Sequence, residues 1–192
     1  MSYVPPAPLF APVPRKIALW LALMCALHLG LGAALGLSVD EAHYALYAAH
    51  PDWSYFDHPP LVGWAQWPLV ALGASTWVLR LVPELLWLGT ALVVYRLAER
   101  LHTAPVGSPS PAQGQAGLWA VLSLSLAPLL HVLGIGLLPD TLLMFFTTLL
   151  VWTTLDLMDP IRVRRPLPWL VLGLLLGLAG LSKYTAIFAA LA

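Results

Sequence analysis

RKIALWLALMCALHLGLGAALGL, residues 15–37, is a basic pair followed by about 21 residues without Asp, Glu, Lys or Arg. A helix of that length covers roughly 30 Å, the thickness of a hydrocarbon core, so the run is expected to span a membrane. The small residues Ala33, Ala34 and Gly36 near its end would also suit a cleaved signal peptide. The run is, however, longer than the roughly 7 to 15 apolar residues such peptides carry.

The rest of the chain agrees. Hydrophobic residues make up 60% of the 192 and charged residues only 9%, against about 25% charged in soluble domains. Mean hydropathy is +0.83. Nine Lys and Arg balance nine Asp and Glu, so no net field gathers nucleic acid or an acidic surface. Cys25 stands alone, which excludes an intramolecular disulfide and a Cys-rich zinc motif. Collagen, coiled coil and disordered tail fall to the same arithmetic. The expected fold class is all-α, a polytopic membrane protein.

Further apolar runs lie at Leu85–Leu97, extended back through Trp77, and at Leu118–Leu138, Thr141–Leu155 and Leu167–Ser182. With the first they make five expected spans. Leu61–Ala74 is about 14 residues with Gln66 and Pro68 inside, which predicts an interfacial or re-entrant helix. Residues 1–16 form a proline-rich arm and 17–192 the transmembrane domain, whose ending inside an apolar helix is expected of a fragment truncated at its C-terminus. Threading the chain with its N-terminus in the cytoplasm puts Arg15, Lys16, Arg96, Arg100, Arg162, Arg164 and Arg165 on the cytoplasmic side. Thr103–Gly117 is then cytoplasmic. The loop at about 38–76 and the turn Leu138–Asp140 face outward.

That first outward loop carries Asp40, Glu41, Asp52 and Asp57, four of the nine acidic residues, together with His43, His50 and His58. Ser38 and Glu41 have the spacing of a capping box, which predicts a helix beginning at Val39. On it Asp40, His43, Tyr44 and Tyr47 share a face, setting a carboxylate beside an imidazole and two phenols. Glu41 reads most simply as the cap residue, and Asp40 favours the helix dipole. Trp53 suits an interfacial belt. The histidines leave a divalent metal open, although their spacing matches no strong motif and no cofactor is assigned. In Tyr55-Phe56-Asp57-His58-Pro59-Pro60-Leu61 the prolines hold Asp57 and His58 off any helix. Asp140 follows Pro139 at a helix start, where an N-cap is the simple role. Arg80 and Glu84, at i and i+4, can pair with each other. Lys183 lies toward the outer end of the last run, able to snorkel to headgroups or to meet an anion.

Taken in order, Asp40-Glu41-Ala42-His43-Tyr44, Tyr55-Phe56-Asp57-His58-Pro59-Pro60-Leu61, Arg80, Pro139-Asp140 and Gly180-Leu181-Ser182-Lys183-Tyr184 resemble the protein O-mannosyltransferase and aminoarabinose transferase superfamily. Its bacterial members are described as family-39-type, dolichyl-phosphate-mannose-protein mannosyltransferase-like proteins. The resemblance covers Arg15 to the end. It implies the GT-C fold, a bacterial inner-membrane location and an active site in the first extracytoplasmic loop. There a sugar moves from a polyprenyl phosphate to an acceptor hydroxyl or phosphate on a lipid, glycan or protein.

By that resemblance Asp40 is the catalytic base, Glu41 its structural neighbour and Asp140 a second active-site carboxylate. Tyr55, Asp57, His58 and Pro59, with His43 and Tyr44, line the substrate cleft, while Arg80 and Lys183 face the lipid phosphate. The chemistry suits these residue types. A sugar leaving a phosphate passes through an oxocarbenium-like state, the acceptor needs a base, and the departing phosphate needs cations. Family members are several hundred residues longer, so the donor groove formed by later helices is not in this chain. The alternatives are a transporter or flippase-like protein, which would place its charges near mid-membrane, and an inactive truncated fragment.

Overall fold

The computed structural model describes residues 9, 11–102 and 115–191. Most of the proline-rich arm and of the loop Thr103–Gly117 lies outside them. The regular elements among the described residues are all helices: α1 Arg15–Ala34, α2 Val39–Ala49, α3 Leu61–Ala71, α4 Thr76–Leu79, α5 Leu81–Leu101, α6 Gln115–Ser125, α7 Pro128–Ile135, α8 Pro139–Leu157, α9 Pro166–Ser182 and α10 Ile187–Leu191.

Helix α1 shows the logic of a lipid-facing element. Ile17, Leu21, Met24, His28 and Gly32 recur at helical spacing and are buried. Leu19, Leu23, Leu27 and Leu31 point the other way and are between 43% and 60% exposed. Both faces are apolar, as a helix needs with protein on one side and acyl chains on the other. The buried stripe meets α5, which packs on α1, α6, α7 and α8. Trp87 and Ala91 of α5 are fully enclosed in the core with Ile17, Leu21 and Met24. Helix α9 lies along α8, and α2 lies against α3.

Among the described residues three unbroken helices are long and apolar enough to cross a membrane: α1, the 26-residue run Thr76–Leu101 in which α4 leads into α5, and α8. The expected span Leu118–Leu138 is instead a pair, α6 and α7, bent by 79°. Pro128 accounts for the break. It has no N–H to offer the carbonyl of Leu124, and its ring would strike that carbonyl in a continuous helix, so it opens α7 at the first position instead. The expected fifth span forms α9, an apolar helix of 17 residues and so about 25 Å long. Among the described residues the five expected runs thus form three unbroken candidate spans, the bent pair as a fourth, and the shorter apolar helix α9. The stretch expected to be interfacial or re-entrant forms α3, with Pro68 inside it, packed across α2.

The two ends of the bundle differ in charge. Arg100 and Arg162 both reach Asp156, at 2.7 and 2.8 Å. Arg96 donates to the carbonyls of Ala11 and Pro12. The basic residues grouped by the charge threading therefore share one end. The opposite end carries α2, α3 and the starts of α5 and α8.

Candidate active site

The site begins where α1 stops. Ser38 Oγ accepts from the Glu41 backbone N–H at 3.2 Å, and Glu41 Oε2 accepts from the Ser38 N–H at 2.8 Å, so the expected capping box is present and α2 starts at Val39. The same carboxylate receives Arg80, with Nε 2.9 Å from Oε1 and Nη2 3.0 Å from Oε2. The remaining Arg80 protons go to the carbonyls of Gly32, Leu35 and Gly36. Those groups end α1 and have no partner within it. Gly32 is needed there, since a Cβ on it would stand 2.9 Å from Arg80 Cδ. Burial opposes the charge on Glu41, but the hydrogen bonds and charge of Arg80 and the bonds from Ser38 outweigh it and hold the carboxyl below its usual range.

Arg80 does not pair with Glu84, which faces His28 at 2.8 Å instead. All five Arg80 N–H groups meet protein acceptors in this structure.

Beside this pair opens a cleft of about 520 Å³ lined by Ser38, Asp40, Glu41 and Arg80 and by apolar groups, among them Leu35 at the α1 end, Val132 and Ile135 of α7, and Leu138 at the start of α8. Asp40, in the first turn of α2, is exposed at this cleft. Polar groups at the mouth of an apolar hollow suit an amphiphile with a charged head.

Behind Asp40 the aromatic face of α2 packs on α3. Tyr47 stacks on Tyr55 with ring centres 3.7 Å apart and planes 4° apart. Gly63 lets α3 come this close, because a Cβ there would meet Tyr47 Cβ at 2.9 Å and Tyr55 Oη at 3.1 Å. The Tyr47 hydroxyl donates to Asp57 and lies 2.9 Å from His43 Nε2. His58 Nδ1 is 3.1 Å from the other Asp57 oxygen. That hydroxyl, ahead of the opposing desolvation, and then His58 hold the Asp57 carboxyl below its usual range. Asp57 and His58 are off any helix as expected, while buried Pro59 precedes Pro60, which caps α3. Tyr44 is buried among the carboxylates. Desolvation, then the charges of Asp57, Asp40 and Asp140, push its phenol up to about 12.

Asp140 is the second residue of α8 and does not cap it. Its oxygens receive Lys183 Nζ at 2.7 and 2.8 Å. Lys183 thus has a partner, from the end of α9, and the pair remains partly open, with side chains 29% and 46% exposed. Among the described residues no group of three or more His, Cys, Asp or Glu is disposed to hold a metal ion.

The model of one protein family, described as dolichyl-phosphate-mannose-protein mannosyltransferase, matches residues 57–192. The chain belongs to this family. It is also 27% identical over 153 residues to the lipid A galacturonosyltransferase RgtD of Rhizobium johnstonii, an alignment covering 78% of the chain and 29% of that relative. The chain therefore spans less than a third of the relative's length. No solved structure matches it. The mannosyltransferase family match begins at Asp57, so Asp40 to Tyr44 precede the matched region and their roles rest on geometry.

Tyr47 and Gly63 belong to the site without a signal in the sequence that marks them. Tyr47 shares the helix face of Asp40, His43 and Tyr44, but its bond to Asp57 depends on how the loop folds back. Gly63 looks like any small residue in an apolar helix until α2 is laid against it.

Proposed function

We propose that the chain carries the catalytic end of a membrane glycosyltransferase that moves a sugar from a polyprenyl-phosphate donor to an acceptor hydroxyl or phosphate. One observation carries the assignment of the base. Glu41 is held by Arg80, Asp57 by Tyr47 and His58, and Asp140 by Lys183. Asp40 lines the cleft with no side-chain hydrogen bond or ion pair among the described residues. A general base needs an oxygen free to receive a proton.

In this mechanism the acceptor oxygen attacks the anomeric carbon as the bond to the phosphate oxygen breaks. Asp40 takes the hydroxyl proton, and the electron pair leaves on the phosphate. Attack from the face opposite the leaving group inverts the anomeric centre. Lys183 is the cation able to turn toward the departing phosphate, because its pair with Asp140 is partly open. Arg80 acts at a distance by holding Glu41 and the end of α1, which fixes the turn that bears Asp40. His43, Tyr44, Tyr55, Asp57, His58 and Pro59 shape the neighbouring wall. Similarity to a lipid A galacturonosyltransferase makes a lipid acceptor the first to try. The charge threading supports a site on the extracytoplasmic face of an inner membrane.

Asp40→Asn tests this directly. Sugar transfer from a radiolabelled polyprenyl-phosphate donor should fall by about 10²-fold or more, with the protein made and inserted normally. Full transfer by that variant would remove Asp40 from the mechanism.

A further inference from the structure

Beneath the cleft, a second polar group lies between helices that are otherwise apolar. Glu84 of α5 meets His28 Nδ1 at 2.8 Å, His28 Nε2 meets His131 Nδ1 of α7 at 2.7 Å, and His131 Nε2 meets the carbonyl of Ser125 at 2.7 Å. Ser125 is the last residue of α6, at the bend that Pro128 forces. The side chains of Glu84 and His28 are 6% and 1% exposed. Cys25 of α1 is the other titratable group beside Glu84, with its thiol placed to donate a weak hydrogen bond to that carboxyl, and Arg80, one turn away at the N-cap of α5, is committed to Glu41 and the end of α1.

The protons in this chain can be placed by elimination. A carbonyl only accepts, so His131 Nε2 carries a proton. A His131 protonated on both nitrogens would reverse the bond to His28 and leave Glu84 anionic, the state weighed below; neutral His131 has a bare Nδ1, which accepts from His28 Nε2–H. His28 Nδ1 is left to share one proton with Glu84. Placing that proton on His28 leaves an anionic carboxylate whose Oε1 is buried without a hydrogen-bond partner. Placing it on Glu84 leaves only a neutral carbonyl oxygen there, which costs far less to bury.

The far end of the chain bears on the cleft. Helix α7 is bent away from α6, with the helical hydrogen bonding interrupted at Pro128, and lies hard on its neighbours. A Cβ on Gly134 would stand 2.7 Å from His28 Nδ1, and one on Gly136 would stand 3.1 Å from Glu41 Cδ. Val132, Ile135 and Gly136 of this helix line the cleft that Asp40 also lines.

We propose that Glu84, His28 and His131 are positioning residues: a directed hydrogen-bond chain, with its one shared proton on Glu84, that docks α7 and so sets the wall of the cleft. For catalysis this rests on the transferase reading. Its structural content does not.

The test uses the protein in nanodiscs. Infrared spectra should show a carboxylic-acid C=O band that Glu84→Gln removes. Glu84→Gln should also preserve the docking of α7, because an amide N–H can donate to His28 Nδ1 as the acid does, whereas Glu84→Ala and His131→Ala cannot complete the chain. Docking is read as the maleimide labelling rate of Val132→Cys, corrected for labelling of the parent protein. That rate should change about ten-fold in both alanine variants and return close to the parent value in Glu84→Gln. In transfer assays the same two variants should raise KM for the donor more than they lower kcat. An absent acid band, or Glu84→Gln as disturbed as Glu84→Ala, would overturn the proton assignment. Unchanged Val132→Cys labelling in both alanine variants would overturn the positioning role. Because the infrared and labelling readouts do not use sugar transfer, they stand even if Asp40→Asn leaves transfer intact.

Discussion

Two acid–base pairs lie at the end of the bundle that carries Asp40, and they are built for different work. Glu41 and Arg80 have side chains 10% and 5% exposed, and every Arg80 donor is used. Asp140 and Lys183 meet at a similar distance but with side chains 46% and 29% exposed, and the ammonium's two recorded bonds are both to one carboxylate. The first pair joins three elements, α1, α2 and the start of α5, and has no free valence. The second joins only the ends of α8 and α9. A buried pair with all its bonds made is a scaffold, whereas a partly wet pair can exchange one partner for an incoming anion at modest cost.

Breaking the scaffold should have the largest effect. Arg80→Ala leaves Glu41 buried without its counter-ion and three carbonyls without donors, a loss of about 3 to 5 kcal/mol. Thermal unfolding in detergent should show a clear drop in Tm, and Arg80→Lys should recover little, since a point charge cannot make five directed bonds. An unchanged Tm in Arg80→Ala would mean the pair is not structural. Lys183→Ala should contrast with this. Its stability should change little, because Asp140 can be rehydrated, while affinity for a polyprenyl phosphate should fall about ten-fold or more. If binding of that probe is unaltered, the departing phosphate does not meet Lys183.

Acid separates the buried pair from exposed carboxylates. Glu41 sits below its unfolded value, so its contribution to stability is present above that value and is lost as pH falls through the folded one. The stability difference between the parent and Glu41→Gln should therefore be widest near neutrality and close on acidification below the ordinary carboxylate range. A difference that stays constant with pH would show that Glu41 gains nothing from ionising. Asp57 is shifted in the same direction, but its side chain is 41% exposed and solvent screens most of the effect.

These pairs also mark what the residues disclose by themselves. The first span, the capping box at Ser38 and the grouping of basic residues at one end are all local signals: run length, an i to i+3 spacing and charge order. They appear in the structure as read. The bend at Pro128 was legible in principle, since one proline inside a run of spanning length breaks it, but hydropathy alone averages over it. The pairings were not legible. Arg80 had Glu84 one helical turn away and chose Glu41, 39 positions earlier, because α2 folds back over the end of α1. His28 and His131 are single histidines in apolar runs, 103 positions apart, and only the packing of α7 on α1 makes them one feature.

The smallest predicted effect probes the wall behind Asp40. Tyr47→Phe keeps the ring stacked on Tyr55 and against Gly63, so the contact between α2 and α3 should persist. It removes only the hydroxyl that bridges His43 and Asp57. The bridge is partly exposed, so its loss should cost at most about 1 kcal/mol in stability. Its sharper trace lies in ionisation. The Tyr47 hydroxyl is the largest cause of the low Asp57 value, so the Asp57 carboxyl should titrate at higher pH in Tyr47→Phe, still restrained by His58. Carboxyl-carbon NMR of Asp57 reads this without any transfer assay. An unmoved titration would show that the hydroxyl does not bond Asp57 in the membrane, and would leave the stacked ring, like the Arg80 scaffold, as packing alone.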